Sequence, residues 1–283
     1  IHKIMAGVDK SVDADYTVTT WQSIYKLPKD WYEKFDVVIG DEAHLFKAKS
    51  LTGVMTKLDT CKYRFGLTGT LDGTQTNRLV LEGLFGKAKY VVTTKELIDN
   101  KTLSNLKINC IVLKYPDEDR QIVKEFDYGA ELEYIVTKAE RNTFVCNLVG
   151  HLNGNTLVLF QFVEKHGKIL YDIIQDKYKD RKVFFVYGGV ATDIREEIRE
   201  IVENEKDAVI VASYGTFSTG INIRNLHNIV FASPSKSRIR NLQSIGRGLR
   251  LGDNKSHATL FDISDVHLQI PLCNYPVIFN GRH

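Results

Sequence analysis

Long apolar runs are missing from this sequence. The longest, around Leu157–Val163, is far shorter than the roughly 20 residues of a bilayer-spanning helix. No basic segment followed by an apolar one opens the chain, so no secretory leader is read. Cysteine is scarce. Cys61, Cys110, Cys146 and Cys273 lie far apart, with no CxxC pair and no histidine at zinc spacing. That excludes a disulfide framework, and the thiols are expected to be reduced, in the cytoplasm of a cell. The 5 prolines and 20 glycines are scattered, which excludes collagen-like and low-complexity chains. A large charge of one sign is absent too. The net charge of +3 is too small to imply nucleic acid by itself. No repeat recurs at a fixed period. Finally, no G-x-x-x-x-G-K-[ST] phosphate loop occurs. The nearest string, Gly83-Leu-Phe-Gly86-Lys87-Ala88, is too short, ends in alanine and reads as a surface turn.

What is present is an ordinary globular balance, 43% hydrophobic and 26% charged over 283 residues, enough for two domains. Short apolar runs alternate with amphipathic stretches, the rhythm of a parallel α/β sheet. The runs are Tyr16–Thr20, Phe35–Gly40, Tyr63–Leu67, Lys107–Leu113, Thr156–Val163, Lys182–Tyr187, Ala208–Ala212, Asn228–Ala232 and His257–Phe261. Several are apolar throughout, as in strands covered on both faces. Helical periodicity appears over Lys165–Tyr178, and over Thr192–Glu205 with Thr192 as N-cap. A long helical stretch spans Glu118–Leu152, and Ser235–Leu251 predicts a basic helix. The polar segment Asn100–Leu106 breaks the rhythm. Two lobes are therefore expected, residues 1–103 and 104–266, followed by an irregular tail over 267–283.

Four strings carry chemistry. Val37-Val-Ile-Gly-Asp41-Glu42-Ala-His44 is an apolar strand ending in adjacent carboxylates. Ligands of parallel sheets sit at that edge. Asp41 is placed to hold Mg²⁺ through its water shell, since Mg²⁺ takes one or two carboxylates plus phosphate oxygens. Glu42 can orient an attacking water as general base, and His44 is expected to bond between this edge and the partner lobe. Gly66-Leu-Thr68-Gly-Thr70 closes another strand with hydroxyls that can reach those carboxylates. Val211-Ala-Ser213-Tyr-Gly-Thr216-Phe-Ser-Thr-Gly220-Ile-Asn222 runs from a strand into a loop of small and hydroxyl residues suited to phosphates. In Gln243-Ser-Ile-Gly-Arg247-Gly-Leu-Arg250, positions 243, 247 and 250 share one helical face. From Lys236 to Arg250 there are five basic residues and no acid. That concentration of positive charge calls for an anionic partner such as phosphate. Two glycines flank Arg247 at a cost of roughly 1 kcal/mol each in a helix, which favours a functional reading.

In order and spacing these strings resemble motifs II, III, V and VI of superfamily 2 helicases of the DEAH type. Thr19-Thr20-Trp-Gln22-Ser23 resembles motif Ib, Leu159-Phe160-Gln161-Phe162 motif IV, and Tyr187-Gly188-Gly189 with Arg195 the strand-binding turn after it. The likeness spans about Val18 to Asp265 and is strongest to the phage type of DNA recombination and repair helicase. It implies two RecA-like lobes with parallel sheets, the first incomplete, because the phosphate loop and motif Ia should lie upstream of Ile1. It implies an ATP-hydrolysing helicase that uses ATP and Mg²⁺, with Asp41, Glu42, Arg247 and Arg250 catalytic and Asp41 the metal ligand. His44, Thr68, Thr70, Gly220, Asn222 and Gln243 would bind the nucleotide lying between the lobes. Thr19, Thr20, Gln22, Phe160, Gln161, Gly188, Ser213 and Thr216 would contact the strand. The implied partner is branched or hybrid DNA, with RNA as the alternative, and no membrane. Without a phosphate loop, a second reading is a nucleic-acid-binding piece that hydrolyses no ATP; within the enzyme class the alternatives are an RNA helicase or a restriction-enzyme translocase subunit. Asn222 departs from the family, where Asp is common, which puts a charged role there in doubt.

Overall fold

In the computed structural model the chain forms two compact units, Ile1–Val91 and Val92–His283. The structure describes residues 1–5, 7–69, 71, 75–220, 223–235, 237–252, 255 and 257–266. The expected tail, 267–283, lies outside the described residues.

In the first unit, β1 (His2–Ile4) pairs in parallel with β2 (Thr17–Thr19), which leads into the single turn α1 (Trp21–Ile24). A second parallel pair is β3 (Val37–Gly40) with β4 (Tyr63–Gly66), joined through α2 (Lys49–Lys57) and followed by α3 (Gln75–Phe85). Leu51, Val54, Met55 and Leu58 lie on one stripe of α2 and its C-terminal turn, and pack on Ile4, Ile24, Tyr32 and Phe46. The Phe85 ring meets Phe46 edge-on at 5.1 Å. A Cβ at Gly66 would stand 2.9 Å from that ring, so only glycine fits beneath it. The string read as a surface turn is different in the structure. Gly83–Phe85 is the last turn of α3, and Gly86, at φ +88°, Lys87 and Ala88 follow it.

The second unit opens with α4 (Thr94–Asp99), capped by a Thr93–Glu96 capping box, and β5 (Asn105–Lys114). The long helical stretch resolves into α5 (Asp117–Val123), α6 (Tyr128–Thr137) and α7 (Ala139–Gly150). Then come β6 (Thr156–Phe160), a π turn over Val163–Gly167, α8 (Lys168–Lys177), β7 (Val183–Val186) and α9 (Thr192–Asn204). The chain continues through β8 (Val209–Ser213), α10 (Tyr214–Gly220), β9 (Asn228–Phe231), α11 (Arg238–Gly248) and β10 (His257–Val266). Six parallel strands run in the order β5-β10-β9-β6-β8-β7. Alternation divides β6 between two cores. Leu157 and Leu159 join Val202, Phe217, Ile245 and Leu249 on one face. Val158 and Phe160 join Val145, Val149, Leu170 and Ile174 on the other. A strand covered on both faces has no polar side, which is why these runs read as apolar throughout.

Two expectations change here. The boundary falls at Val91/Val92 rather than 103/104, because the polar segment is tied into the second unit. Thr102 and Leu103 donate their N–H groups to the Leu97 carbonyl at 2.8 and 3.1 Å, and Ser104 donates to Leu249 at 2.7 Å. Thr192 is the first residue of α9 rather than its cap, and Ala191 holds the N-cap position.

One buried charge pair anchors the sheet's C-terminal edge. Arg141 of α7 donates Nε to Asp265 Oδ1 at 2.9 Å, Nη2 to Oδ2 at 3.1 Å and Nη1 to the Ala232 carbonyl at 2.6 Å. The Tyr115 hydroxyl donates to Asp265 at 2.6 Å. Burial works against the guanidinium charge, but the Asp265 carboxylate outweighs it and holds the Arg141 pKa above its ordinary value.

Candidate functional site

The first group of expected residues sits where β3 and β4 end. The backbone stitches the two loops together: Leu67 donates its N–H to the Gly40 carbonyl and Ala43 to the Leu67 carbonyl, both at 2.8 Å. Glu42 takes a left-handed backbone at φ 49°, a conformation that costs a side-chain-bearing residue energy and tends to persist at functional sites. Asp41 is exposed, and its Oδ1 accepts the Glu42 N–H at 2.8 Å. His44 is buried, with Nδ1 3.0 Å from Thr68 Oγ1 and 3.2 Å from Glu42 Oε2. Thr68 Oγ1 and Glu42 Oε2 meet the same ring nitrogen. The hydroxyl of Thr68 thus meets His44, whereas the sequence suggested the carboxylates. Both of these His44 partners lie in its own unit. The arrangement holds Glu42 by histidine from behind while leaving Asp41 open.

That donor set fits Mg²⁺. Among the described residues no cluster of three or more His, Cys, Asp or Glu side chains could cage a metal. One or two exposed carboxylates suit an ion that keeps its waters and takes its other ligands from phosphate. Thr70 lies outside the described residues. Thr19 ends β2, Thr20 holds the N-cap position of α1, and Gln22 stands exposed on α1. The Thr20 hydroxyl shares a 3.1 Å hydrogen bond with Ser23.

In the second unit, the string after β8 is a helix rather than the expected loop. Ser213 caps it: its Oγ accepts the Thr216 N–H at 3.3 Å and donates to Thr216 Oγ1 at 2.8 Å. Tyr214 and Phe217 are buried anchors, and they overrule the helix-poor composition. Gly188, exposed after β7, faces this turn, since a Cβ there would lie 4.0 Å from Thr216 Oγ1. Two expected strand contacts are therefore side by side. Gly220 ends α10, and Asn222 lies outside the described residues. Gln161 is exposed, with its N–H on Ser233 Oγ at 3.0 Å. Phe160 cannot contact a strand as expected. It is 0% exposed, its ring stacks on Phe185 at 5.5 Å, and a Cβ on Gly167 would meet that ring at 2.5 Å.

Sequence reasoning missed what lies behind α10. Tyr214 donates its hydroxyl to the Ser233 carbonyl at 2.9 Å, and Ser233 Oγ lies 2.8 Å from His166 Nδ1. Burial, with the Arg141 charge adding to it, pushes the His166 pKa down to about 3. Nothing in the spacing of these residues signals the link; only the sheet brings them together.

The basic helix is shorter than expected. Gln243 and Arg247 lie half-buried on α11, but α11 stops at Gly248 and Arg250 lies past it, in an antiparallel bridge with Leu103. Gln243, Arg247 and Arg250 therefore do not form one helical face. Gly248 also has a packing reason, because a Cβ there would lie 2.2 Å from Ile229. Gly246 faces open space. The second missed residue is Lys255, which reads as part of a polar turn. It is buried, and burial pushes its pKa down to about 8. Its ammonium donates to the Arg250 carbonyl at 2.9 Å.

Comparison with known proteins gives this arrangement a family. The helicase conserved C-terminal domain matches residues 140–252, and the family of the type III restriction enzyme res subunit matches residues 1–73. The ATP-dependent DNA helicase uvsW of Enterobacteria phage T4 is 39% identical over 272 residues, covering 94% of this chain and 54% of that protein. The chain belongs to the superfamily 2 helicases. The crystal structure of T4 UvsW matches this helicase chain with a TM-score of 0.50 at 38% identity, over 93% of this chain and 52% of that one. The DNA 3'-5' translocase XPB2 of Sulfurisphaera tokodaii is 24% identical over 285 residues, 89% of this chain and 64% of that protein. A structure of Mss116p bound to single-stranded RNA and AMP-PNP matches with a TM-score of 0.58 at 13% identity, over 94% of this chain and 53% of that one. At that identity it speaks for the RecA-like helicase fold alone. The chain spans about half the length of the T4 relative. Among the described residues no helix is long and apolar enough to cross a membrane.

Proposed function

We propose that this chain is part of an ATP-dependent DNA helicase or translocase that unwinds or branch-migrates DNA, or RNA–DNA hybrids, in recombination, repair or replication. The likeness to T4 uvsW supports the DNA substrate, and the expected site of action is the cytoplasm, that of the host if the protein is phage-encoded. The observation that carries the reading is the Glu42–His44–Thr68 contact at the joined ends of β3 and β4. A general base needs a fixed direction, and His44 supplies it while Thr68 ties the next loop to the same ring. Asp41 would hold Mg²⁺, and the ion would neutralise charge developing on the transferred phosphoryl group. Glu42 orients the attacking water and takes its proton. Arg247 and Arg250 stabilise the transition-state charge, a role worth about 10³–10⁵ in rate. Gln243 and Gly220 contact the nucleotide. Thr19, Thr20, Gln22, Gln161, Gly188, Ser213 and Thr216 hold the strand through its phosphates, which carry no base information, so little sequence preference follows.

The test is ATP hydrolysis by the full-length protein with and without branched DNA, with single-stranded RNA as comparator. Branched DNA should stimulate turnover, and Glu42→Gln should lower kcat by about 10²–10⁴-fold while DNA binding persists. Salt-sensitive DNA binding with no turnover at all would instead establish a binding module.

A further inference from the structure

Beyond Gly248 the backbone leaves the α11 ladder and turns through Arg250 and Gly252 toward β10. Carbonyls at such an end need donors from elsewhere. Lys255 provides them. Its ammonium donates to the carbonyls of Gly248, Arg250 at 2.9 Å and Arg224 at 3.3 Å. The side chain is only 5% exposed. The Arg250 carbonyl also accepts from Ser104 Oγ at 3.4 Å. Behind Arg224 stands Glu203 of α9, whose carboxylate accepts the Arg224 and Asn225 N–H groups at 2.6 and 3.2 Å. One buried cation thus joins the end of α11 to the loop after α10, with α9 and the start of β5 as its supports.

Burying an ammonium against neutral carbonyls is expensive, since each ion taken from water costs several kcal/mol before compensation. A glycine or surface water could finish a helix at far less cost. The Glu203 carboxylate behind Arg224 favours the Lys255 charge but does not outweigh its burial. The three carbonyls Lys255 binds include those on either side of Leu249, in the backbone segment from which both arginines project.

We propose that Lys255 is a positioning residue for Arg250 and Arg247, fixing the backbone that aims their guanidiniums at the nucleotide. The proposal rests on the reading of those arginines as transition-state groups. Lys255 does not touch the nucleotide. It acts by holding the end of α11 in one conformation, and a displacement of about 1 Å at a reacting group can cost on the order of 100-fold.

The experiment is a double-mutant cycle in the full-length protein, read as DNA-stimulated ATP turnover, with residual rates taken under single-turnover conditions. Lys255→Met should lower kcat by about 10–100-fold with the KM for ATP and the Kd for branched DNA within about twofold. On the Arg250→Ala background it should cause no further loss. A general structural role predicts additive losses, or changes in KM and Kd, and either result overturns the proposal. So does an unchanged kcat. If Lys255→Met does not fold, Lys255→Gln, which keeps the stem and loses the charge, enters the same cycle under the same criteria. The two readings fail separately. If Arg250→Ala leaves kcat intact, the arginine assignment falls and this proposal falls with it. If Arg250→Ala abolishes turnover and Lys255→Met does not affect it, only the role of Lys255 is wrong.

Discussion

The two units use similar strands to different effect. In the second, β6 is buried at all five positions, and its neighbours β8 and β9 are almost as enclosed. In the first, Val37 and Ile39 of β3 and Tyr63 and Phe65 of β4 are 50–64% exposed. These four share one face of the parallel pair, because the register sets Val37 against Tyr63 and Ile39 against Phe65. An apolar strand is a capacity for burial, and only the covering layer turns it into stability. The carboxylates of the first unit depend on two strands and the stitched loops beyond them. The basic residues of the second unit depend on a six-stranded sheet packed on both faces.

This contrast can be broken or sharpened by mutation. The largest effect should come from Asp265→Ala in the second unit. It leaves Arg141 buried without its carboxylate and should cost about 3–5 kcal/mol, read by urea unfolding. A loss under about 1 kcal/mol would show that the pair is not the anchor the geometry indicates. Next, Leu159→Ala should cost about 2–5 kcal/mol, whereas Ile39→Ala on the open face should stay within about 0.5 kcal/mol. Equal costs would mean that the β3–β4 face is covered in solution. A third prediction concerns pH. His166 ionises near 6.5 when exposed and near 3 in the fold. The unfolded chain therefore binds more protons between those values, and stability is fully present above about 6.5 and lost as pH falls toward 3. Thermal unfolding from pH 7 to 4 should show a shallower decline for His166→Gln than for the parent chain. The smallest effect belongs to Lys29–Asp59 of the first unit, a 2.6 Å pair with both partners more than half exposed. Asp59→Ala there should leave the urea midpoint close to that of the parent chain.

All nine apolar runs became strands, because each is short, bounded by polar segments and rich in β-branched or aromatic residues, which favours a strand over a buried helix. What escaped was decided at a distance. His2–Ile4 forms β1 although its residues alternate no apolar side chains; its signal is the pairing with Thr17–Thr19. Ser213–Gly220 reads as a loop from its glycines and hydroxyls, and becomes helical through the Ser213 cap and the burial of Tyr214 and Phe217. Phe160 matched a motif pattern but sits at a strand end that the sheet encloses. Arg250 matched a helical spacing but follows Gly248, which is fixed by contact with Ile229. The carboxylate pair and its strand were legible because an acidic end to an apolar run is local. The His44–Thr68 contact, the Ser233–His166 link and the Lys255 cage were not, because each joins segments that meet only when the sheet forms.

The pairing of β5 with β10 has a consequence for how the protein is made. The first strand of the second unit hydrogen-bonds along its whole length to the last, Asn105 against His257 through Lys114 against Val266. On a ribosome that adds about 5–20 residues per second, β5 emerges on the order of ten seconds before its partner exists. Until then β5 has no strand beside it and presents unpaired edges to every other nascent chain in reach, while β9 emerges only shortly before β10. The second unit can close only at the end of its own synthesis, so a chaperone able to shield those edges during the wait should raise its yield more than one acting after release.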